Sequence, residues 1–141
     1  MDNDRWYESV ESDVFTVVTH RMKKALDGKT KKAIKFTTEG QSDAQPYFPT
    51  CYIHSLSPLE TGGDLYGRSI NAIISTMEVI VYSDNKKECN TIVNEAVYQM
   101  KQIGFSVTSM PILTEDGKVS NGVCRFRRVI GADDTDLTAK R

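Results

Sequence analysis

Apolar residues recur along this chain in two rhythms. Over residues 9–27, Val10, Val14, Val17, Val18 and Leu26 fall mostly at helical spacing, with Ala25 beside the last. Glu11, Asp13, Lys23 and Lys24 lie mostly off that stripe, so the pattern predicts a helix that buries one face. Ser9 or Ser12 is placed to cap its start, and early acids with late lysines match the helix dipole. Gly28 is placed to stop it in the left-handed conformation. A second stripe, Cys89, Ile92, Val93, Ala96, Val97, Met100 and Ile103, predicts another helix, with Asp84 as cap and Gly104 as stop.

Between and after the helices the period falls to two. Residues 33–39, carrying Ile34 and Phe36, read as a short strand, 48–56 as a second and 69–82 as a long third. Residues 105–113 and 119–130 flank Asp116-Gly117, a strong hairpin signal. The order α-β-β-β-α-β-β, with consecutive strands free of intervening helices, favours antiparallel pairing. The expected fold is therefore α+β: a mainly antiparallel or mixed sheet of about five strands with two helices on one face. Residues 1–132 read as one such domain and 133–141 as a polar, flexible tail.

The third strand has an unusual phase. Ile73, Met77, Val79 and Val81 share one face, while Ile70, Ala72, Ile74 and Ile80 share the other. A sheet covered on one side only should be polar on its second face. Either a bulge near Ser75 and Thr76 shifts the phase, or the second face is buried against another chain. Both readings are physical, and Ile70, Ala72 and Ile74 are the candidate interface face under the second.

Composition narrows the class. With 141 residues, 39% apolar and 26% charged, the chain can bury a real core and is not a disordered tract. A formal net charge of −1 supplies no overall attraction to nucleic acid or anionic membrane. No apolar run approaches membrane-spanning length, and the opening MDNDRWYES is too acidic for a secretory signal. Three widely spaced cysteines, an odd number, fit free thiols in a reducing compartment. A soluble, intracellular protein is expected.

Candidate chemistry is sparse. Cys51 and His54, three apart in a strand, point to opposite faces, and Cys89 opens an apolar helical stripe. A zinc site or thiol nucleophile built from Cys51, His54, Cys89 and Cys124 therefore lacks its geometry, and three buried thiols are expected instead. His20 has no carboxylate at a fixed spacing, and Glu60 and Asp64 sit in a loop without an apolar pocket. Neither catalytic, metal nor cofactor residues are assigned, and an enzyme is not expected.

The stretch 59–68 is glycine-rich, but a strand follows it where a phosphate loop needs a helix. Its length and its Leu59, Leu65 and Tyr66 mark either a contact with another protein or a hairpin folded back on its own domain. Glu60, Asp64, Leu65, Tyr66 and Arg68 join Leu59 as the candidate interaction loop. Charge is segregated: seven basic residues against Asp27 between Arg21 and Lys35, then six acids against Arg68 up to Asp84. That pattern suits head-to-tail association of identical subunits, or simply solvated faces. In Arg125-Phe126-Arg127-Arg128, alternation puts Arg125 and Arg127 on one face, and a single Phe126 makes no stacking platform for RNA.

Taken in order, several segments resemble a known family. They are Phe48-Pro49-Thr50-Cys51-Tyr52-Ile53-His54-Ser55-Leu56, Glu60 with Asp64-Leu65-Tyr66-Gly67 and Ile70-Asn71-Ala72, and Val79-Ile80-Val81-Tyr82-Ser83. The amphipathic helix, Gly104-Phe105 and the run from Arg125 to Asp134 follow. Together, across 13–134, they resemble the tail terminator (tail completion) proteins of long-tailed bacteriophages. The resemblance implies a structural virion protein, made in the host cytoplasm and located at the tail–neck junction. A homohexameric ring would cap the head-proximal end of the tail tube, end tube polymerisation and present a docking surface to the head connector. The implied partners are further copies of itself, the major tail tube protein and the head-proximal connector or stopper protein, with genomic DNA only passing through the lumen and no membrane. The loop 59–68 would touch a neighbour or the tube. Another neck tier, head closure or joining, is the alternative within the same assembly, and a nucleic-acid-binding α/β module the alternative outside it.

Overall fold

The computed structural model describes residues 5–38, 47–61, 70–132 and 134. A single 3-10 turn (Trp6–Ser9) leads into α1 (Val10–Ala25), then β1 (Lys35–Thr37), β2 (Thr50–Thr61), β3 (Ala72–Ser83), α2 (Lys86–Gln102), β4 (Ser106–Asp116) and β5 (Val119–Gly131). The strands form one sheet in the order β1-β2-β3-β5-β4. The α-β-β-β-α-β-β order and the α+β class are those the hydrophobic rhythm predicts.

One pairing departs from the simplest expectation. β1 runs parallel to β2, while the three remaining pairs are antiparallel. The connection between β1 and β2 spans enough residues to carry the chain back to the same end, so hairpin geometry is not imposed. The sheet is therefore mixed.

Both helices lie on one face, and their stripes interlock with the inward residues of the strands. Val14, Val17, Val18 and Met22 of α1 and Ile92, Val93, Ala96 and Met100 of α2 meet Cys51, Ile53, Met77, Val79, Val81, Cys124 and Phe126 in one buried cluster. At Gly122 of β5 a Cβ would lie 3.2 Å from Leu113 Cδ2 and 3.4 Å from Val93. The missing side chain is what lets α2 approach the sheet there. Between the helices, Arg21 Nε donates to Gln99 Oε1 at 2.7 Å, and Gln99 Nε2 donates to Glu95 Oε2 at 2.7 Å.

The ends of the helices are set locally. α2 is capped by Asn85, whose side chain accepts from the Glu88 amide at 3.0 Å, rather than by Asp84. The Glu88 carboxylate then accepts from Ser83 Oγ and the Lys31 amide, tying β3, α2 and the segment after α1 together. α1 starts at Val10 without a side-chain cap, since Ser9 Oγ turns to Asp13. Gly28 and Gly104 take positive φ, as the helix-stop reading requires. At the β4–β5 turn only Gly117 has positive φ, the pattern of a two-residue hairpin loop with glycine first. Among the described residues no helix is long and apolar enough to cross a membrane.

Candidate functional site

The phase of β3 is unbroken. Ile73, Ser75, Met77, Val79, Val81 and Ser83 are all buried under the helices. Ala72, Ile74, Thr76, Ile80 and Tyr82 are half-buried on the opposite, helix-free face. A bulge at Ser75 and Thr76 is thus excluded, because β3 pairs with β5 residue for residue along its whole length. The irregularity lies instead in the neighbouring strand, between Leu56 and Leu59 of β2. The extra residue keeps Leu56 opposite Thr76 and Leu59 opposite Ile74, so both leucines face the open side.

That open face has a banded composition set by register. At one end Leu59, Ile74 and Val129 lie side by side across β2, β3 and β5. Leu59 is 63% exposed and Val129 56%. At the other end Tyr52, Ile80, Val123 and Ile112 form a row across β2, β3, β5 and β4. Between these apolar bands runs a polar crosspiece. His54 Nε2 lies 2.7 Å from Glu78 Oε1, and Arg125 Nε donates to Glu78 Oε2 at 2.8 Å. The His54 ring stacks on Tyr52, with centroids 4.3 Å apart and planes 6° from parallel.

Glu78 is nearly buried, 8% exposed, yet stays ionised more readily than an ordinary glutamate. Burial alone would raise its pKa, but hydrogen bonds from His54 and Arg125 and their charges outweigh it and hold the carboxyl below its usual range. Both carboxylate oxygens are consumed by these partners. The crosspiece therefore locks three strands together. Burial, with help from Tyr52 and Glu78, also pushes the Tyr82 phenol up.

The cysteines lie inside the core. Cys51, Cys89 and Cys124 are free and buried, and His54 points to the other face from Cys51. Burial, then Glu88, raises Cys89 to about 11, and burial, then Glu78, raises Cys124 to about 12. Cys51 is pushed up further by burial, with Cys124 and Cys89 adding to it. Among the described residues no group of three or more His, Cys, Asp or Glu is placed to hold a metal ion.

The residues singled out from sequence fare unequally. Leu59 and Glu60 belong to β2, paired with Ile74 and Ile73, and not to a loop. Asp64, Leu65, Tyr66 and Arg68 lie outside the described residues. Ala72 and Ile74 are on the open face as expected, but Ile70 is not. It precedes β3, packs against the core beside Trp6, and its carbonyl accepts the Trp6 indole N–H at 2.8 Å. Of the acidic stretch, Glu39, Asp43 and Asp64 lie outside the described residues, and Glu78 is neutralised within the crosspiece. Arg125 and Arg127 do share the open face, opposite Glu78 and Thr76. Asp134, placed in the tail by composition, accepts from the Gly131 amide at 2.7 Å and pairs with Arg128 at 3.3 Å. The rest of the tail is outside the described residues. Sequence reasoning missed His54, Glu78, Leu59 and Val129 as members of one surface, because only strand register joins them.

No protein-family model and no curated protein matches this chain.

Proposed function

We propose that this chain is a structural subunit of the tail–neck of a long-tailed bacteriophage, a tail terminator whose copies close into a ring on the head-proximal end of the tail tube. The observation that carries this reading is the helix-free sheet face, where apolar bands that include Leu59, Ile74, Val129, Ile80 and Ile112 flank an internally satisfied polar crosspiece. Apolar surface of this kind is characteristic of faces covered by another protein, and in the ring that the resemblance implies a second copy would cover it.

In this reading the protein acts by shape and catalyses nothing. One surface of the ring matches the last ring of tube protein, and the other accepts the head connector without nucleating further tube. Termination is thus a difference in affinity between two faces. Genomic DNA passes through the lumen, with contacts limited to phosphates.

Electron microscopy of tails assembled without this protein tests the proposal. Over-long tails are expected. Tails of normal length that fail to join heads would reassign the protein to a connector tier. Mass measurement of the purified chain should give a closed oligomer, and a strictly monomeric species at high concentration contradicts the ring.

A further inference from the structure

A second surface, on the helix side and away from the open sheet face, has a different chemistry. The C-terminal end of α1, the segment that follows it and β1 enclose a groove of about 390 Å³. Its apolar lining is Leu26, Ile34 and Phe36, respectively buried and half-buried, while Lys23, Lys31 and Lys32 are exposed around it. The groove therefore has an apolar floor and a cationic rim. Lys24, Lys29 and Lys35 extend the positive surface, and all three are exposed.

Asp27 also lines the groove, a single acid against three rim lysines. Among the described residues none of the six lysines forms an ion pair. Lys23 Nζ instead lies over the Phe36 ring, 5.5 Å from its centroid. The Glu88 carboxylate, which reaches this region, is occupied by the Lys31 amide and Ser83 Oγ. Elsewhere Glu8 is engaged by Arg5, Glu11 by the Ser55 amide and Glu95 by Gln99.

We propose that this groove docks an acidic polypeptide segment with an apolar anchor residue, supplied by a protein other than this chain. Lysines on the rim would pair with carboxylates, and the anchor would fill the floor over Ile34 and Phe36. The apolar floor is what selects this partner over nucleic acid. A phosphate backbone has nothing to bury against Leu26, Ile34 and Phe36, and a net charge of −1 gives no long-range attraction to DNA. The inference concerns a different surface from the open sheet face and does not rest on the ring reading.

Anisotropy of a dye-labelled synthetic peptide, rich in Asp and Glu around a central Phe, tests the docking in the purified protein. Binding should weaken with rising salt and fall about tenfold in the Lys31→Gln, Lys32→Gln variant, which removes two rim charges without setting a carboxylate beside Glu88. Both positions are exposed, so its melting temperature should match the parent. Replacing the acids by Gln and Asn, or the Phe by Ala, should each weaken binding by a similar factor. A photo-crosslinker at the anchor should label residues 33–36. Absence of binding at low salt overturns the proposal, as does crosslinking elsewhere. Equal binding of the Ala-anchored peptide, or tighter binding of a short DNA duplex lost in the same variant, would make the site a general polyanion patch instead. Self-association that disappears in the lysine variant would make the occupant a second copy.

Discussion

Glu78 shows how much a single side chain can carry on a sheet face. Its two oxygens are divided between His54 and Arg125, residues 24 and 47 positions away in the chain. Glu78→Gln keeps the shape but removes the charge that both partners address, and should cost about 1–3 kcal/mol in urea unfolding at neutral pH. The pH dependence follows from the sign of the shift. The folded carboxyl titrates below its ordinary value of 4.5, so its stabilisation is complete above that value and is lost as pH falls through the lower, folded one. The parent should thus lose part of its advantage over Glu78→Gln as acid is added, and a constant gap between their unfolding midpoints would contradict this. The three thiols make a second test. With Cys89 at about 11 and Cys124 at about 12, and Cys51 pushed up as well, almost no thiolate exists at neutral pH. A thiol reagent should react slowly with the native protein and rapidly with three equivalents in urea. That Cys51 and His54 take opposite faces was legible from alternation, since they differ by an odd number of strand positions, and Cys89 was legible from its helical stripe. The Glu78 network was not, because no local spacing encodes a cross-strand partner.

At the scale of elements, periodicity located α1, α2 and β1 to β5, and errors fell where a second physical rule competes. The alternating pattern places the end of β2 at Leu56, yet the chain absorbs Ser57 and Pro58 in a bulge and pairs on to Thr61. The parallel β1 was hidden because pairing sense depends on the path of the connection, not on the strand itself. Asp84 was expected to cap α2, but the cap is its neighbour Asn85, a residue of equal capping aptitude. Asn85→Ala should therefore destabilise by about 1 kcal/mol, while Asp84→Ala should be close to neutral in the same thermal melt. Along α2, Val93 is fully buried and Val97 only half-buried. Val93→Ala should cost about 1–3 kcal/mol and Val97→Ala less, a ranking that reverses if the stripe is rotated.

For the whole molecule the decisive asymmetry is between the two faces of one sheet. The helix side is closed by α1 and α2, and its alternate strand positions are buried. The other side leaves Leu59, Ile74 and Val129 in a row whose outer members are more than half exposed. A charge placed there meets water in an isolated subunit but would be stripped of it in an assembled ring, where an unpaired carboxylate costs several kcal/mol. The paired substitution Leu59→Asp, Val129→Asp should consequently leave circular dichroism and melting of the isolated subunit almost unchanged while abolishing the oligomer that the proposed ring requires, as read by native mass measurement. Ile73→Asp, one residue from Ile74 but directed under the helices, supplies the contrast, since it should unfold the chain outright. Persistence of the oligomer in the Leu59, Val129 variant would place the subunit contact elsewhere. Unfolding of that variant would mean that the open face is already covered by the chain itself.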